Sequence, residues 1–274
     1  MSVNTKSDPE LLKMLDQTSH LFHIAGLPHS SQILDKISRY ISGKIPNSLD
    51  ENYNTDEFKK FQDSTHIEFS TTSHRGNCSS FLLTTFRKSM KNHHPESVEI
   101  INNNLRIDKQ EKRYRSYHNL QLLKKIVLNG ATNDEERLIG ISYAYLSLVD
   151  GIYTTSLLEC YVWDRISRNL PVNIESVYRM SIANVYDYFK NQSLPLHYFD
   201  GWDIKVRNAV AHSSFKFDAT RNKMIYESTT GISEYDINEM IENYEKLESI
   251  YPLVLGIIST TAVNDILGEF IHRY

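Results

Sequence analysis

The sequence predicts an all-α protein with one short β-hairpin in its C-terminal half. Apolar residues recur every three or four positions over long segments, which is typical of amphipathic helices. Asparagine, aspartate and serine stand where they can cap several of these helices. Residues 215–218 and 223–227 flank a polar turn and predict the hairpin. We therefore expect a helical bundle in the C-terminal half, the hairpin inserted in it, and a mostly helical N-terminal region.

The length of 274 residues allows one large domain or two ordinary ones. We expect two regions, residues 1–115 and 116–274. The first can be a separate domain, a regulatory cap or an elaboration of one fold. Helices are expected within residues 8–44, with a break at 26–28, and within residues 82–90. A short extended piece is expected at residues 67–69.

The second region begins with a predicted helix over residues 133–168. Thr132 or Asn133 can cap it, and the acidic residues that follow suit the positive end of the helix dipole. Gly151 stands inside the helix at a cost of about 1 kcal/mol, which suggests close packing of a second chain or helix. The neighbouring Asp150 either faces the active site or is a solvent-exposed acid.

Four further elements follow. Residues 174–190 predict another helix, and Asp203 can cap the next one, which ends near Ser213 and Ser214. The hairpin comes next, and a final helix is expected to start at Ser233 or Glu234 and to be divided by Pro252.

Composition excludes several classes of protein. The formal net charge of −4 argues against a general nucleic-acid coat protein, and 40% hydrophobic residues are enough for a core. Cys78 and Cys160 are far apart, so we expect neither a disulfide nor a cysteine metal site, and Cys160 should be a core residue. The basic run at residues 106–115 is interpreted as a solvated helix face or linker. No apolar run resembles a signal peptide or a membrane span, so a cytoplasmic location is expected.

Histidines at several positions do not form a metal pattern. No two of them share a helical face at ligand spacing, and no carboxylates are grouped with them; they are His66, His74, His93, His94 and His118. We therefore expect neither a metal nor a cofactor.

Candidate catalytic side chains occur together in residues 203–212, which contain Arg207, Asn208 and His212. Arginine presents a planar fork of donors to phosphate oxygens, and histidine can take and return a proton near neutral pH. Asparagine can orient a ribose hydroxyl or the imidazole. Asn208 and His212 share a helix face, whereas Arg207 and His212 are about 140° apart at 3.6 residues per turn. Arg207 can reach round the helix, or two copies of the chain can share one site.

Spacing alone is weak support, because Arg87–His93 and Arg113–His118 show similar intervals. Those two pairs lie in strongly polar stretches, whereas small or apolar residues separate Asn208 from His212. The structural alternative is a solvated face or a hydrogen-bonded polar cluster in which Arg207 pairs with a carboxylate such as Asp203 and is closed to solvent.

This segment resembles the HEPN superfamily, whose ribonucleases carry Arg, a polar residue, several spacers and His. Residues 144–152 resemble the long helix that precedes the motif in plasmid- and phage-defence families, and Gly201-Trp202-Asp203 resembles their approach to it. The resemblance covers roughly residues 133–274. It implies a metal-independent endoribonuclease that cuts single-stranded or loop RNA, is usually dimeric, and acts as a toxin or antiphage effector.

Carried over to this chain, the resemblance makes Arg207, Asn208 and His212 the catalytic residues. Arg207 would bind the scissile phosphate, His212 would be a general acid or base, and Asn208 would position substrate or imidazole. The implied partners are an RNA substrate, a second copy forming a composite site, and an antitoxin or regulator, without a membrane. Ser214 stands where one silenced subfamily has tyrosine, so modification there is not implied. The alternative is a non-catalytic HEPN module that binds a protein or nucleotide.

Overall fold

The computed structural model describes residues 107–251, Leu253 and Val254, and six isolated positions nearer the N-terminus. Those six are all helical: Asp16, Ser19, Phe81, Thr84, Thr85 and Lys88. At these positions the helices expected within residues 8–44 and 82–90 are confirmed. The remaining expectations for residues 1–106, including the extended piece at 67–69, lie outside the described residues.

Residues 107–248 contain seven α-helices and three strands. The helices are α1 Ile107–Gly130, α2 Asp134–Leu148, α3 Thr154–Ser167, α4 Ile174–Val177, α5 Ile182–Asn191, α6 Ile204–Ala211 and α7 Ile237–Glu248. A π-helical turn, Val149–Tyr153, joins α2 to α3, and a 3-10 turn, Leu196–Phe199, precedes α6. The strands are β1 Phe215–Asp218, β2 Lys223–Ser228 and β3 Gly231–Tyr235. The described part is thus rich in helix and carries a small antiparallel sheet.

The chain divides into two compact units. One comprises Gln110–Tyr161 and Glu175–Tyr251 and contains α6. The other comprises Met1–Lys109, Val162–Ile174 and Pro252–Tyr274. The boundary expected after residue 115 falls inside α1.

Local capping fixes the start of α2 as the sequence predicts. The Asn133 side chain accepts a hydrogen bond from the Glu136 backbone N–H at 2.9 Å. The Glu136 carboxylate in turn accepts from the Thr132 backbone N–H at 2.7 Å. The helix is not continuous to residue 168, because the π-helical turn interrupts it after Leu148 and α3 ends at Ser167.

The helix predicted over residues 174–190 is instead two helices. Ser181 is extended, and its hydroxyl accepts from the Asn184 N–H at 3.2 Å, so it caps a new helix, α5, rather than continuing α4. An internal serine competes for backbone hydrogen bonds in this way.

The expected hairpin is confirmed, but it is part of a three-stranded sheet with the order β1-β2-β3. Ser233 and Glu234, expected to start the final helix, instead belong to β3, which pairs antiparallel with β2 and places Met224 opposite Tyr235. The final helix therefore starts later, at Ile237. Asp236 caps it in a reciprocal capping box with Glu239.

The core of the unit that contains α6 lies between α2, α6, α7 and the sheet. The motif helix α6 packs on both α2 and β2. It buries Val206, Ala209 and Val210, while β2 buries Met224, Ile225 and Tyr226. Cys160 is buried in α3, as expected. Because the apolar side of α6 is fixed in this core, its polar side chains are held in defined positions.

Candidate active site

Asp203 fixes the start of the motif helix. Its Oδ1 accepts from the backbone N–H of Lys205 at 2.8 Å and of Val206 at 3.4 Å, which confirms the predicted cap. Its Oδ2 accepts from the hydroxyls of Ser233 at 2.6 Å and Tyr235 at 2.9 Å. Both oxygens thus anchor α6 to itself and to β3. The structural alternative predicted that a carboxylate such as Asp203 pairs with Arg207, but the carboxylate that does so is Asp150.

The backbone that leads into α6 is held from two sides. The Tyr145 hydroxyl donates to the Gly201 carbonyl at 2.9 Å and accepts from the Asp203 N–H at 2.8 Å. Gly201 has a φ of +85°, and a Cβ there would lie 2.5 Å from the Asn243 carbonyl oxygen. Glycine is required at this position by both the backbone conformation and the close approach.

Arg207 forms a bidentate ion pair with Asp150. Its Nε donates to Asp150 Oδ1 at 2.9 Å and its Nη2 donates to Asp150 Oδ2 at 3.0 Å. The two side chains are 38% and 44% exposed, so Arg207 is not closed to solvent. Hydrogen bonding to Asp150 raises the pKa of Arg207, so the guanidinium is a permanent cation.

A π-helical turn presents Asp150 to Arg207. Within this turn Val149, Ile152 and Tyr153 are buried, whereas Asp150 and Gly151 are exposed. A π-turn inserts an extra residue into a helix and changes the direction of the side chains around it, and such turns are frequent at functional sites. The sequence did not decide whether Asp150 faces the site or solvent. In the structure its carboxylate pairs with Arg207.

Asn208 contacts the arginine that precedes it. Its Oδ1 accepts from Arg207 Nη1 at 3.2 Å. The sequence predicted that Asn208 positions substrate or imidazole, but its contact in this structure is with the guanidinium. Arg207, Asn208 and Asp150 therefore form one hydrogen-bonded cluster.

His212 lies directly after α6 and caps it with its backbone. Its N–H donates to the Asn208 carbonyl at 3.1 Å, and the residue is exposed. Among residues 107–251 no hydrogen bond or ion pair reaches the imidazole. The structure thus leaves the His212 ring on the surface, unattached to the Arg207 cluster.

An aromatic pair between α2 and β1 was missed from the sequence. Tyr143 of α2 is 44% exposed, and its ring centroid is 6.0 Å from that of Phe215 in an edge-on arrangement. Tyr143 precedes Asp150 by seven residues, and Phe215 follows His212 by three residues. The interval of seven residues between Tyr143 and Asp150 corresponds to two turns of a regular helix, and it is the sequence signal that could have identified Tyr143.

Arg113, which belongs to the basic run, is held in an ion pair. It pairs with Glu159, and their side chains are 17% and 4% exposed, so this pair belongs to the interior. Burial lowers and Glu159 raises the pKa of Arg113, and the net change is upward.

Within the described residues no three His, Cys, Asp or Glu side chains are grouped to hold a metal. No helix in the same residues has the length and apolar character to cross a membrane.

No family model, curated protein or solved structure matches this chain.

Proposed function

We propose that this protein is an endoribonuclease of HEPN type that cleaves RNA without a metal ion, through Arg207, Asn208 and His212. The observation that carries this proposal is the Arg207 side chain, which is 38% exposed and whose guanidinium is held by two neighbouring side chains. A fixed cation on a helix that also ends in a surface histidine suits phosphodiester cleavage.

The guanidinium keeps donors for a phosphate. Arginine has five N–H donors, and three of them are used by Asp150 and Asn208. Two N–H groups remain for phosphate oxygens, which arginine binds in a planar, paired geometry. Arg207 can therefore neutralise the charge that develops on the phosphate, the task that a metal ion has in other nucleases.

His212 supplies the acid–base chemistry. The ribose 2′-oxygen attacks phosphorus and gives its proton to a base, while the bond from phosphorus to the 5′-oxygen breaks and that oxygen takes a proton from an acid. The products are a 2′,3′-cyclic phosphate and a 5′-hydroxyl end. A neutral imidazole performs the first proton transfer and an imidazolium the second.

A second copy of the chain would complete this site. Arg207 lies in α6 and His212 directly after it, and within residues 107–251 the imidazole has no hydrogen bond to the Arg207 cluster. In a homodimer the two histidines can divide the roles of base and acid across a composite site. We further propose that the enzyme acts as a prokaryotic toxin or antiphage effector under the control of a partner.

The test is cleavage of RNA by purified protein in excess EDTA. His212→Ala should lose about 10²–10⁴-fold in rate, the usual contribution of a positioned acid or base. His197→Ala is the matched control, because His197 is an exposed histidine of the same unit, paired with Asp200 at 3.1 Å. The proposal is supported if cleavage persists in EDTA for both the wild type and the His197→Ala variant but is lost in the His212→Ala variant.

A non-catalytic binding module is the second candidate, and the isolated imidazole of His212 favours it. It predicts saturable binding of RNA, nucleotide or a protein through Arg207 with no turnover. The binding-module proposal replaces the ribonuclease proposal if the dimeric wild-type protein binds an RNA oligomer and the RNA remains intact after prolonged incubation.

A further inference from the structure

The carboxylate of Asp150 has a defined relation to the proposed catalytic arginine. The two Asp150 oxygens accept from Nε and Nη2 of Arg207 at 2.9 and 3.0 Å. This pairing uses one edge of the guanidinium plane. Asn208 accepts from the third nitrogen, Nη1, at 3.2 Å, so every nitrogen of the group has a partner. A guanidinium held at three nitrogens cannot rotate freely about its long side chain.

The exposure of this pair argues against a mainly stabilising role. Ion pairs between side chains that are 38% and 44% exposed are screened by water and add little to stability. Yet this one is bidentate, joins elements 57 residues apart, and starts from an irregular π-turn rather than a regular helix. A bidentate, exposed ion pair of this kind orients the Arg207 side chain more than it stabilises the fold.

We infer that Asp150 is a positioning residue of the proposed site: it orients the Arg207 guanidinium so that its two remaining N–H donors meet the scissile phosphate. The inference rests on the proposed ribonuclease function. Because two donors stay unused, phosphate need not displace the carboxylate. An arginine that is already oriented does not have to reorganise as charge develops in the transition state.

Steady-state cleavage by Asp150→Asn and Asp150→Glu tests the inference. The near-isosteric Asp150→Asn keeps the shape but loses the charge and one acceptor, and a misplaced catalytic group can cost about 10²-fold. We expect kcat to fall by about 10- to 100-fold with little change in KM, and Asp150→Glu to recover part of it. Glu227→Gln is the matched control, because it removes the carboxylate of an exposed ion pair with Lys216 in the same unit. It should leave both constants unchanged.

A double-variant cycle separates positioning from an independent effect. If Asp150 acts through Arg207, then Asp150→Asn should cause no further loss in an Arg207→Ala background, measured in single-turnover reactions with excess protein. An equal loss in both backgrounds overturns the inference. So does an Asp150→Asn protein that cleaves faster or binds RNA more tightly, since the carboxylate would then compete with phosphate.

The outcomes also distinguish the two proposals. Cleavage by wild type that is unchanged in Asp150→Asn overturns the positioning role alone. Absence of cleavage by wild type overturns the ribonuclease function, and the positioning role with it.

Discussion

The hydroxyl of Tyr145 in α2 bonds to the backbone of Asp203, the residue that caps the motif helix. It accepts from the Asp203 N–H at 2.8 Å and donates to the Gly201 carbonyl at 2.9 Å. Asp203 in turn receives hydrogen bonds from Ser233 and Tyr235 of β3. The start of the helix that carries Arg207 is therefore fixed jointly by α2 and the sheet.

Removal of the Tyr145 hydroxyl should destabilise the protein. In Tyr145→Phe the Asp203 N–H and the Gly201 carbonyl lose a partner, and unsatisfied buried polar groups cost about 1–3 kcal/mol. Urea unfolding followed by circular dichroism measures the loss. Tyr143→Phe, two residues earlier and exposed, should change the free energy of unfolding by less than about 0.5 kcal/mol. Equal effects of the two variants would mean that the Tyr145 bridge is not important for stability.

Stability at alkaline pH should depend on Tyr226. Burial raises the pKa of this fully buried tyrosine to about 12, from an ordinary value near 10. The folded state thus favours the protonated form, so its contribution is fully present below pH 10 and is lost as the pH rises toward 12.

The comparison with Tyr226→Phe isolates this group. The variant lacks the hydrogen bond to Ser142 and should be less stable than wild type by about 1 kcal/mol at pH 8. Between pH 10 and 12 that difference should shift against the wild type by about 1.4 kcal/mol per pH unit. Urea unfolding at intervals from pH 8 to 11.5 checks it, and a constant difference would contradict the prediction.

Replacement of Arg207 by lysine should abolish most turnover although the charge is kept. Lysine has no planar fork, so it cannot bond Asp150, Asn208 and a phosphate at once. Loss of a preorganised donor to a developing anion lowers kcat by about 10²–10³-fold. Arg221→Lys is the control, because Arg221 is an exposed arginine that pairs with Asp218 and Glu234. Wild-type kcat in Arg207→Lys would show that the fork is not used.

Tyr143 should contribute to RNA affinity. Tyr143 is 44% exposed, its ring meets that of Phe215 edge-on, and its helix α2 ends at the π-turn that carries Asp150. A base stacked on an aromatic side chain contributes about 1–3 kcal/mol, so Tyr143→Ala should weaken binding by about 5- to 150-fold, while Tyr143→Trp preserves it.

Fluorescence anisotropy with a 2′-O-methyl RNA oligomer, which lacks the attacking hydroxyl, measures this binding without cleavage. Ile232→Ala is the matched control, since Ile232 is an exposed apolar residue of β3 and is 58% accessible. Equal affinities of wild type and Tyr143→Ala would exclude the tyrosine from the RNA surface.

Two glycines should respond to alanine in opposite directions. Gly201→Ala places a methyl group 2.5 Å from the Asn243 carbonyl oxygen at a positive φ, so we expect a loss of more than about 1 kcal/mol and weaker cleavage. At Gly151 a Cβ meets no atom within 4 Å, and alanine should stabilise the helix by up to about 1 kcal/mol. Thermal unfolding compares them. If a second copy packs on Gly151, its alanine variant should weaken the dimer in sedimentation experiments while each chain stays folded.

Several elements could be read from the sequence because they depend on neighbours in the chain. Asn133 and Asp203 cap helices through backbone groups two or three residues away, and the β1–β2 hairpin is fixed by a short turn. The sequence also predicts the helix that carries Arg207 and Asn208, although this helix ends at Ala211, directly before His212. The third strand was missed because its apolar and polar residues do not alternate with burial: Ile232 is on the exposed face of Gly231–Tyr235. Strand preference also depends on the partner strand.

The composition of the candidate site was decided by tertiary structure. The sequence by itself determined which groups carry charge, which can transfer a proton, and where the helix that holds them begins. It did not determine that Asp150 holds Arg207, that Asn208 bonds the guanidinium, or that Tyr143 stands against Phe215. The Arg207–Asp150 and Tyr143–Phe215 contacts join residues far apart in the chain, and they depend on how α2 packs against α6 and where the π-turn places its side chains. Periodicity and capping are local properties, whereas the partners of a long side chain follow from the packing of the whole core.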